Sequence, residues 1–210
     1  MIYKIQRIVR DVRIAIDENN TSEQLIASED IDTLSLEEII RSKIVEAVRR
    51  ILTEAPVHLL DGGKHFGDAV YWRNQCSGWI LLPEDFMRLV IFKMSDWERP
   101  VYEPITAADP KYQLQFSRYK GLRGNPQKPV VAIVSRATGC VLELFSCHDE
   151  NATVEQALYI PLPKVDRDGG MYIPERCYTA VVYEAAALAL ATIGSNLSSA
   201  MSELSKQLLV

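Results

Sequence analysis

The C-terminal run from Ile173 to Val210 reads IPERCYTAVVYEAAALALATIGSNLSSAMSELSKQLLV, and its apolar residues recur every three or four positions. This spacing predicts a helix. Pro174 stands where the first helical turn tolerates proline, because the N–H that proline lacks would have no partner there. Gly194 interrupts the pattern, so we expect one long helix that is kinked at this glycine. A helix this apolar is stable only when other helices cover it.

Composition and charge indicate a soluble globular protein with a sizeable core. The chain has 210 residues, of which 48% are hydrophobic and 24% are charged, enough for one elaborated domain or two small domains. Its net charge of −5 argues against a protein that binds nucleic acid by charge, because contact with phosphates requires a surplus of lysine and arginine. No apolar run reaches the ~20 residues of a membrane span, and the start lacks the pattern of a signal peptide. We therefore expect synthesis in the cytoplasm and no membrane partner.

The first residues have the spacing of an amphipathic helix. Apolar side chains recur at intervals of three, four, three and four residues, at Ile2, Ile5, Val9, Val12 and Ile16. This heptad-like seam predicts a helix that packs in a bundle. Residues 18–33 follow as a polar connection, and the sequence leaves open whether they order upon assembly.

A second helix is predicted from residue 35 onward. Ser35 and Glu38 have the spacing of a capping box, in which each side chain bonds to the backbone N–H of the other residue. A wide apolar stripe follows, and Pro56 marks its end. Together with the C-terminal run, these two helices predict a helical bundle.

The middle of the chain predicts strands. Four runs have the length and β-branched content of strands, and a glycine-containing link between the second and the third is typical of a hairpin. These runs are residues 87–94, 130–135, 141–146 and 156–161. We therefore predict an α+β fold in which residues 1–60 and 172–210 form one discontinuous helical bundle. Residues 61–171 would form a small antiparallel β-sheet inserted into that bundle.

Nucleophile, base and acid residue types cluster once, at Cys147 and His148 followed by two acidic residues. Neighbours in an extended segment point to opposite faces, which disfavours a cysteine–histidine pair there. The four cysteines lack CxxC spacing, which argues against a disulfide framework or a zinc knuckle. We assign no catalytic residue, cofactor or metal.

Two further groups are weak candidates for a ligand site. His58 and His65 flank a glycine turn and could bind a metal together with Asp61 or Asp68, although such donors often meet by chance. An aromatic group nearby suits core packing better than a ligand platform. This group comprises Tyr71, Trp72, Trp79 and Trp97.

Five arginines of the middle region suit contacts with an acidic neighbouring subunit, or else simply keep the surface hydrated. They are Arg88, Arg99, Arg118, Arg123 and Arg136. The sequence does not decide between the two interpretations.

Two segments of the middle region carry a family resemblance. LPEDFMRL at residues 82–89 and WERPV at residues 97–101 precede a long alanine-rich helix. This arrangement resembles head-to-tail connector (adaptor) ring proteins of tailed phages, including the crAss-like and other short-tailed groups. The resemblance implies a ring, commonly of twelve copies, that lies under the portal and surrounds DNA without sequence-specific binding. It also implies that the C-terminal helix reaches the portal and that the β region meets neighbouring subunits or the tail.

These inferences predict a structural protein of the virion neck, made in the host cytoplasm, and not an enzyme. Its expected partners are further copies of itself, the portal protein and other neck or tail proteins. The expected interface residues are Arg99, Arg123, Leu197, Met201, Leu204 and Leu208. The alternatives are another virion component, such as a tail-completion or cargo protein, and an enzyme or ligand-binding protein with a site around Cys147 and His148.

Overall fold

The computed structural model describes residues 1–19, 35–60 and 62–209. The helices are α1 (Ile5–Asn19), α2 (Leu36–Glu54), α3 (Pro110–Leu114), α4 (Tyr178–Thr192) and α5 (Leu197–Gln207). The strands are β1 (Ile2–Lys4), β2 (Lys64–His65), β3 (Tyr71–Asn74), β4 (Ser77–Leu81), β5 (Phe86–Met94), β6 (Ile105–Thr106), β7 (Val131–Arg136), β8 (Gly139–Leu144), β9 (Val154–Pro161) and β10 (Gly170–Tyr172). The chain divides into a terminal unit, Met1–Asp61 with Leu162–Val210, and a central unit, Gly62–Pro161.

Helix α4 is the central element of the terminal unit. It packs against α1, α2 and α5, and its small side chains, such as the fully buried Ala185, allow these helices to approach closely. Ile40 and Ile44 of α2 are fully buried as well, and each such side chain contributes about 1.5–3 kcal/mol by leaving water. In the part of the chain that the structure describes, no helix has both the length and the apolar character needed to cross a membrane.

The C-terminal run forms two helices, so the prediction of one long kinked helix is wrong. Helix α4 ends at Thr192 and α5 begins at Leu197. Between them, Gly194 has φ +74°, a left-handed conformation that glycine adopts without steric cost. The N–H groups of Gly194 and Ser195 donate to carbonyl oxygens in the last turn of α4, at 3.3 and 3.0 Å. This glycine therefore ends the first helix rather than bending it.

The N-terminal residues form a strand where their spacing predicted the start of a helix. Strand β1 pairs antiparallel with β10, and Tyr3 lies opposite Met171. Tyr3 also stacks on Tyr178, with 4.1 Å between the ring centroids. Ile2 is consequently exposed, and the helical seam begins only with α1. A partner strand near the other end of the chain overrides the local periodicity.

The capping box at the start of α2 is confirmed. The Glu38 N–H donates to Ser35 Oγ (3.4 Å), and the Ser35 N–H donates to Glu38 Oε2 (2.9 Å). Helix α2 ends at Glu54, just before Pro56, as predicted. The polar connection predicted at residues 18–33 lies outside the described residues from position 20 onward.

The central unit contains two sheets. One has five strands in the order β3-β4-β8-β7-β6, with only the β6–β7 pair parallel; the other has three antiparallel strands in the order β2-β9-β5. Both sheets contribute to one core, in which Phe92 of β5 and Leu142 of β8 are fully buried. Strands β5, β7, β8 and β9 coincide, within a residue or two, with the four predicted runs, which are thereby confirmed.

The predicted fold class, a helical bundle that carries a small β-sheet insertion, is wrong. Within the described residues the fold is mixed α/β, with ten strands in three sheets and five helices. Among the missed strands, β2 consists of Lys64–His65 and β3 reads YWRN, so neither has a continuous apolar run and only their pairing partners reveal them as strands. Strand β4 reads SGWIL and has such a run, but it was not predicted as a strand.

Candidate interaction surface

One face of the five-stranded sheet points away from the core of the central unit. Side chains alternate along β4, so Ile80 enters the core while Trp79 and Leu81 lie on the opposite face. On β8, Leu142 likewise enters the core, and Glu143 lies beside Trp79. We call this second face the outer face. Its side chains include Tyr71, Arg73, Trp79, Leu81, Arg136 and Glu143.

Glu143 is a buried charge within the outer face, with 2% of its surface exposed. Its Oε1 accepts hydrogen bonds from Arg73 Nη2 (3.3 Å) and from Arg136 Nη2. Its Oε2 accepts one from the Tyr112 hydroxyl (2.9 Å). Burial of a carboxylate is costly unless opposite charges and hydrogen bonds compensate it. The two guanidinium groups and the phenol do so, and Glu143 thereby connects β3, β7 and α3.

Tyr112 anchors α3 to the sheet. Burial, and in second place the hydrogen bond to Glu143, raise the pKa of its phenol above the ordinary value, so the hydroxyl remains a donor at neutral pH. The Tyr112 ring meets Phe116 and Phe145 edge-on, with centroids 5.2 and 5.9 Å away. Such edge-to-face pairs add stability beyond the area that they bury.

A cleft of about 530 Å³ lies on the outer face next to these contacts. The Arg136 guanidinium lies 4.5 Å above the centre of the Trp79 ring, and Tyr71 stacks on Trp79 with 5.9 Å between centroids. The cleft is lined by Tyr71, Trp79, Leu81, Arg136, Ala137 and Thr138. Tyr71 and Leu81 remain about half exposed, so the cleft presents apolar surface and one cation to the solvent.

The loop after α3 is held firmly against the sheet. Gln115 is 7% exposed; its Nε2 donates to the Lys111 carbonyl (2.9 Å) and its Oε1 accepts from the Gly124 N–H (2.8 Å). A Cβ at Gly124 would come within 2.3 Å of Ser146 Oγ, so only glycine fits this close approach. These contacts hold the two ends of the loop, Gln115 and Gly124, together. The large apolar residues between these ends are Phe116, Tyr119 and Leu122, with half or more of each exposed.

The two arginines predicted at interfaces lie on the central unit. Arg99 is exposed and lines a shallow cleft of about 550 Å³ with Tyr102 and Lys128. Arg123 is half-buried and follows the short 3₁₀ turn Lys120–Leu122. Both positions are compatible with contacts to another chain, and both assignments remain predictions.

The four predicted interface residues of the C-terminal run differ in exposure. Met201 is 1% exposed and belongs to the interior of the terminal unit, where the neighbouring Ser205 hydroxyl donates to the Ala180 carbonyl (2.9 Å) and ties α5 to α4. Leu197 is half-buried. Leu204 and Leu208 are 37% and 42% exposed, so these two offer apolar surface to a partner.

Cys147 and His148 lie in contrasting environments. Cys147 is 4% exposed and packs in the core, while His148 is exposed and its backbone N–H donates to the Asp96 carboxylate. Burial, with a smaller contribution from Asp96, raises the pKa of the Cys147 thiol to about 12. A thiol with this pKa stays protonated at neutral pH and is a poor nucleophile.

The remaining ligand candidates do not form one site. Among the described residues, no group of three or more histidine, cysteine, aspartate or glutamate side chains is arranged to hold a metal ion, and Asp61 lies outside them. The predicted aromatic group is divided between two environments. Trp97 is buried and Trp72 packs against the core, whereas Tyr71 and Trp79 stack on the outer face.

Sequence reasoning missed the residues that organise the outer face, chiefly Glu143, Arg73 and Tyr112. The available signal was a lone glutamate in the apolar run Val141–Leu144, since a charge inside a buried strand needs partners. Two of its partners, Arg73 on β3 and Tyr112 on α3, come from elements that the sequence did not predict, and Arg136 is the last residue of β7. No protein-family model matches the chain, and a search of curated proteins finds no similar sequence. The resemblance to phage connector proteins therefore stays a prediction.

Proposed function

We propose that the chain is a structural protein of a virion neck, a head-to-tail connector that forms a ring under the portal and extends the DNA channel. The observation that carries this proposal is the apolar surface on and around the outer face. Tyr71 and Leu81 are each about half exposed and line one cleft beside Trp79. Exposed apolar side chains that lie together in this way typically mark a site of contact with another protein.

The chemistry of the outer face supports a protein contact. Tryptophan, tyrosine and arginine are the residue types that most often dominate binding energy at interfaces, and here Trp79, Tyr71 and Arg136 stack in one cleft. The hydrogen bond to Glu143 and the stacking contacts already order these side chains, so little further side-chain entropy is lost when a partner binds. A half-exposed leucine or tyrosine that becomes fully buried contributes on the order of 1 kcal/mol.

A ring also requires two different patches on each copy, because its contacts are heterologous. The terminal unit offers a second exposed apolar pair, Leu204 of α5 and Leu208 at the C-terminal end of that helix. The resemblance assigns this helix to the portal and the β region to neighbouring subunits or the tail. Each unit thus supplies a surface suited to one of the two proposed contacts.

The test combines mass measurement with imaging. The purified protein, alone and mixed with the portal protein encoded in the same genome, is examined by mass photometry and negative-stain electron microscopy. We expect a ring, of about twelve copies if the resemblance holds, stacked coaxially on the portal. A protein that stays monomeric and does not associate with the portal contradicts the connector proposal. Association only with tail proteins would instead favour a tail-completion role.

A pair of variants tests the outer face within the same experiment. The double change Tyr71→Ser with Leu81→Ser removes two half-exposed apolar side chains, and we expect it to abolish or weaken ring formation while the fold is kept. Val165→Ser is the control, because Val165 is 48% exposed but lies on the terminal unit. If the double variant assembles as well as the control, the outer face is not an assembly surface.

A further inference from the structure

The charge of the chain is segregated along the sequence. The stretch from Lys111 to Lys128 contains five lysines and arginines and no aspartate or glutamate. The whole chain has 23 basic and 28 acidic residues. Outside this stretch the chain therefore contains 18 basic residues (23 less these five) and all 28 acidic residues. The overall charge of −5 therefore conceals a stretch of 18 residues whose charged side chains are all basic. We call residues 111–128 the basic segment.

The cations of the basic segment are available to a ligand. Lys111, Arg118, Lys120 and Lys128 are exposed, and Arg123 is half-buried. Within the described parts of the chain, none of the five forms an ion pair with a carboxylate, whereas Arg73 and Arg136 on the outer face do. Simple hydration accounts for isolated exposed cations. It does not account for the aromatic surface beside them.

Two aromatic rings are exposed among these cations. Phe116 is 50% exposed and Tyr119 is 59% exposed. The Arg118 guanidinium lies 4.9 Å above the Tyr119 ring, and its Nη2 donates to the Tyr119 hydroxyl (2.8 Å). Phe116 is held edge-on by Phe145, with 5.5 Å between centroids. Planar groups and positive charges thus alternate along Phe116–Lys120.

The basic segment is also pre-organised. Asp109 caps α3 by accepting from the Lys111 N–H (2.8 Å), and Gln115 fixes the loop at Gly124. Among the described residues, and apart from the local backbone of the turn, no atom lies within 4 Å of the position of a Cβ on Gly121, so the tip of the 3₁₀ turn is open to a ligand. A surface that is already ordered loses little entropy when it binds.

We propose that the basic segment binds single-stranded nucleic acid, with phosphates on its lysines and arginines and unpaired bases on Phe116 and Tyr119. Stacking platforms interleaved with cations are the general means by which proteins bind single strands without sequence preference. A strand offers both a regular line of phosphates and exposed base faces, and an acidic polypeptide offers only the charge. Residues 111–128 carry no carboxylate side chain that would repel the phosphates. This inference does not rest on the connector proposal.

The test measures fluorescence anisotropy of a labelled oligothymidine of about 20 nucleotides, which exposes unpaired bases, and of a duplex of equal length. Three or four phosphate contacts predict that affinity for the single strand falls about 20- to 50-fold between about 50 and about 200 mM salt. We expect the double change Arg118→Glu with Lys120→Glu to weaken binding at least about tenfold. Tyr119→Ala should weaken binding about fivefold or more, through lost stacking, and only for the single strand.

The matched control is Arg41→Glu with Arg49→Glu on α2, which gives the same net charge but changes exposed residues outside the basic segment. Its affinity should stay close to that of the unaltered protein, and circular dichroism checks that every variant is folded. Absence of saturable binding at about 50 mM salt would overturn the proposal. An equal loss of affinity in the control variant, or an unchanged affinity of Tyr119→Ala for the single strand, would also overturn it. The same holds if polyglutamate at equal charge concentration displaces the oligonucleotide.

Discussion

Two buried glutamates, one in each unit, differ in how the protein compensates their charge. Glu143 in the central unit is 2% exposed and meets two guanidinium groups and a phenol. Glu184 in the terminal unit is 7% exposed and meets one guanidinium, that of Arg50 at 3.3 Å, which it shares with Glu46. Burial raises the pKa of Glu184, and Arg50 opposes that effect only in part. A full set of partners makes one carboxylate a structural junction, whereas a shared partner leaves the pKa of the other raised by burial.

The largest expected effect of a change at these two sites is that of Glu143→Ala. The change leaves Arg73 and Arg136 without their counter-charge and Tyr112 without its acceptor. We expect a loss of about 2–3 kcal/mol in the free energy of unfolding, below the 3–5 kcal/mol of fully buried pairs because both arginines keep some contact with water. Urea denaturation measures it. Glu150→Ala, at an exposed position, is the control and should stay within about 0.5 kcal/mol; an equally small effect at Glu143 would remove its structural role.

A smaller effect is expected when only one partner of Glu143 is removed. Tyr112→Phe keeps the ring contacts with Phe116 and Phe145 but deletes the donor to Glu143 Oε2. We expect a loss of about 1–2 kcal/mol, because a buried oxygen is left without one of its hydrogen bonds. Tyr102→Phe, at a tyrosine that is 47% exposed, provides the control for removal of a hydroxyl. Equal urea midpoints for the two variants would mean that the phenol does not stabilise the carboxylate.

Features encoded within a few neighbouring residues were predictable from the sequence. The capping box of Ser35 and Glu38 depends on residues three positions apart, and the strand at Phe86–Met94 has its own apolar, β-branched run. Both were found because local spacing determines them. At Gly194 the sequence predicted an interruption, but the prediction of a kink in one long helix was wrong, because two helices form.

Features that depend on distant partners were not predictable. Strand β1 forms because Gly170–Tyr172 pairs with it. The residues near Ile2 do not indicate this partner, because it lies near the other end of the chain. Glu143 gains its role from Arg73, Arg136 and Tyr112, which three separate elements bring to it. Adjacency in sequence does not bring Cys147 and His148 together, since the first is buried and the second is exposed. Net charge is an average over the whole chain, so it does not show that residues 111–128 contain five basic and no acidic residues.

The smallest expected effect is a pH dependence of stability caused by Glu184. It tests whether this glutamate is compensated less fully than Glu143. Because the folded-state pKa is raised above the ordinary value of 4.5, the folded protein holds more protons than the unfolded chain just above that pH. Stability contributed by this group is therefore present at lower pH and declines as the pH rises through the raised pKa. Glu184→Gln cannot titrate, so the urea midpoint of the variant should rise relative to that of the unaltered protein between about pH 4.5 and about pH 7. Glu203→Gln, an exposed change on α5, serves as the control for altered surface charge. If the urea midpoint of the unaltered protein instead rises relative to that of the Gln variant as the pH rises, the ion pair with Arg50 outweighs the effect of burial. The two glutamates would then be compensated alike.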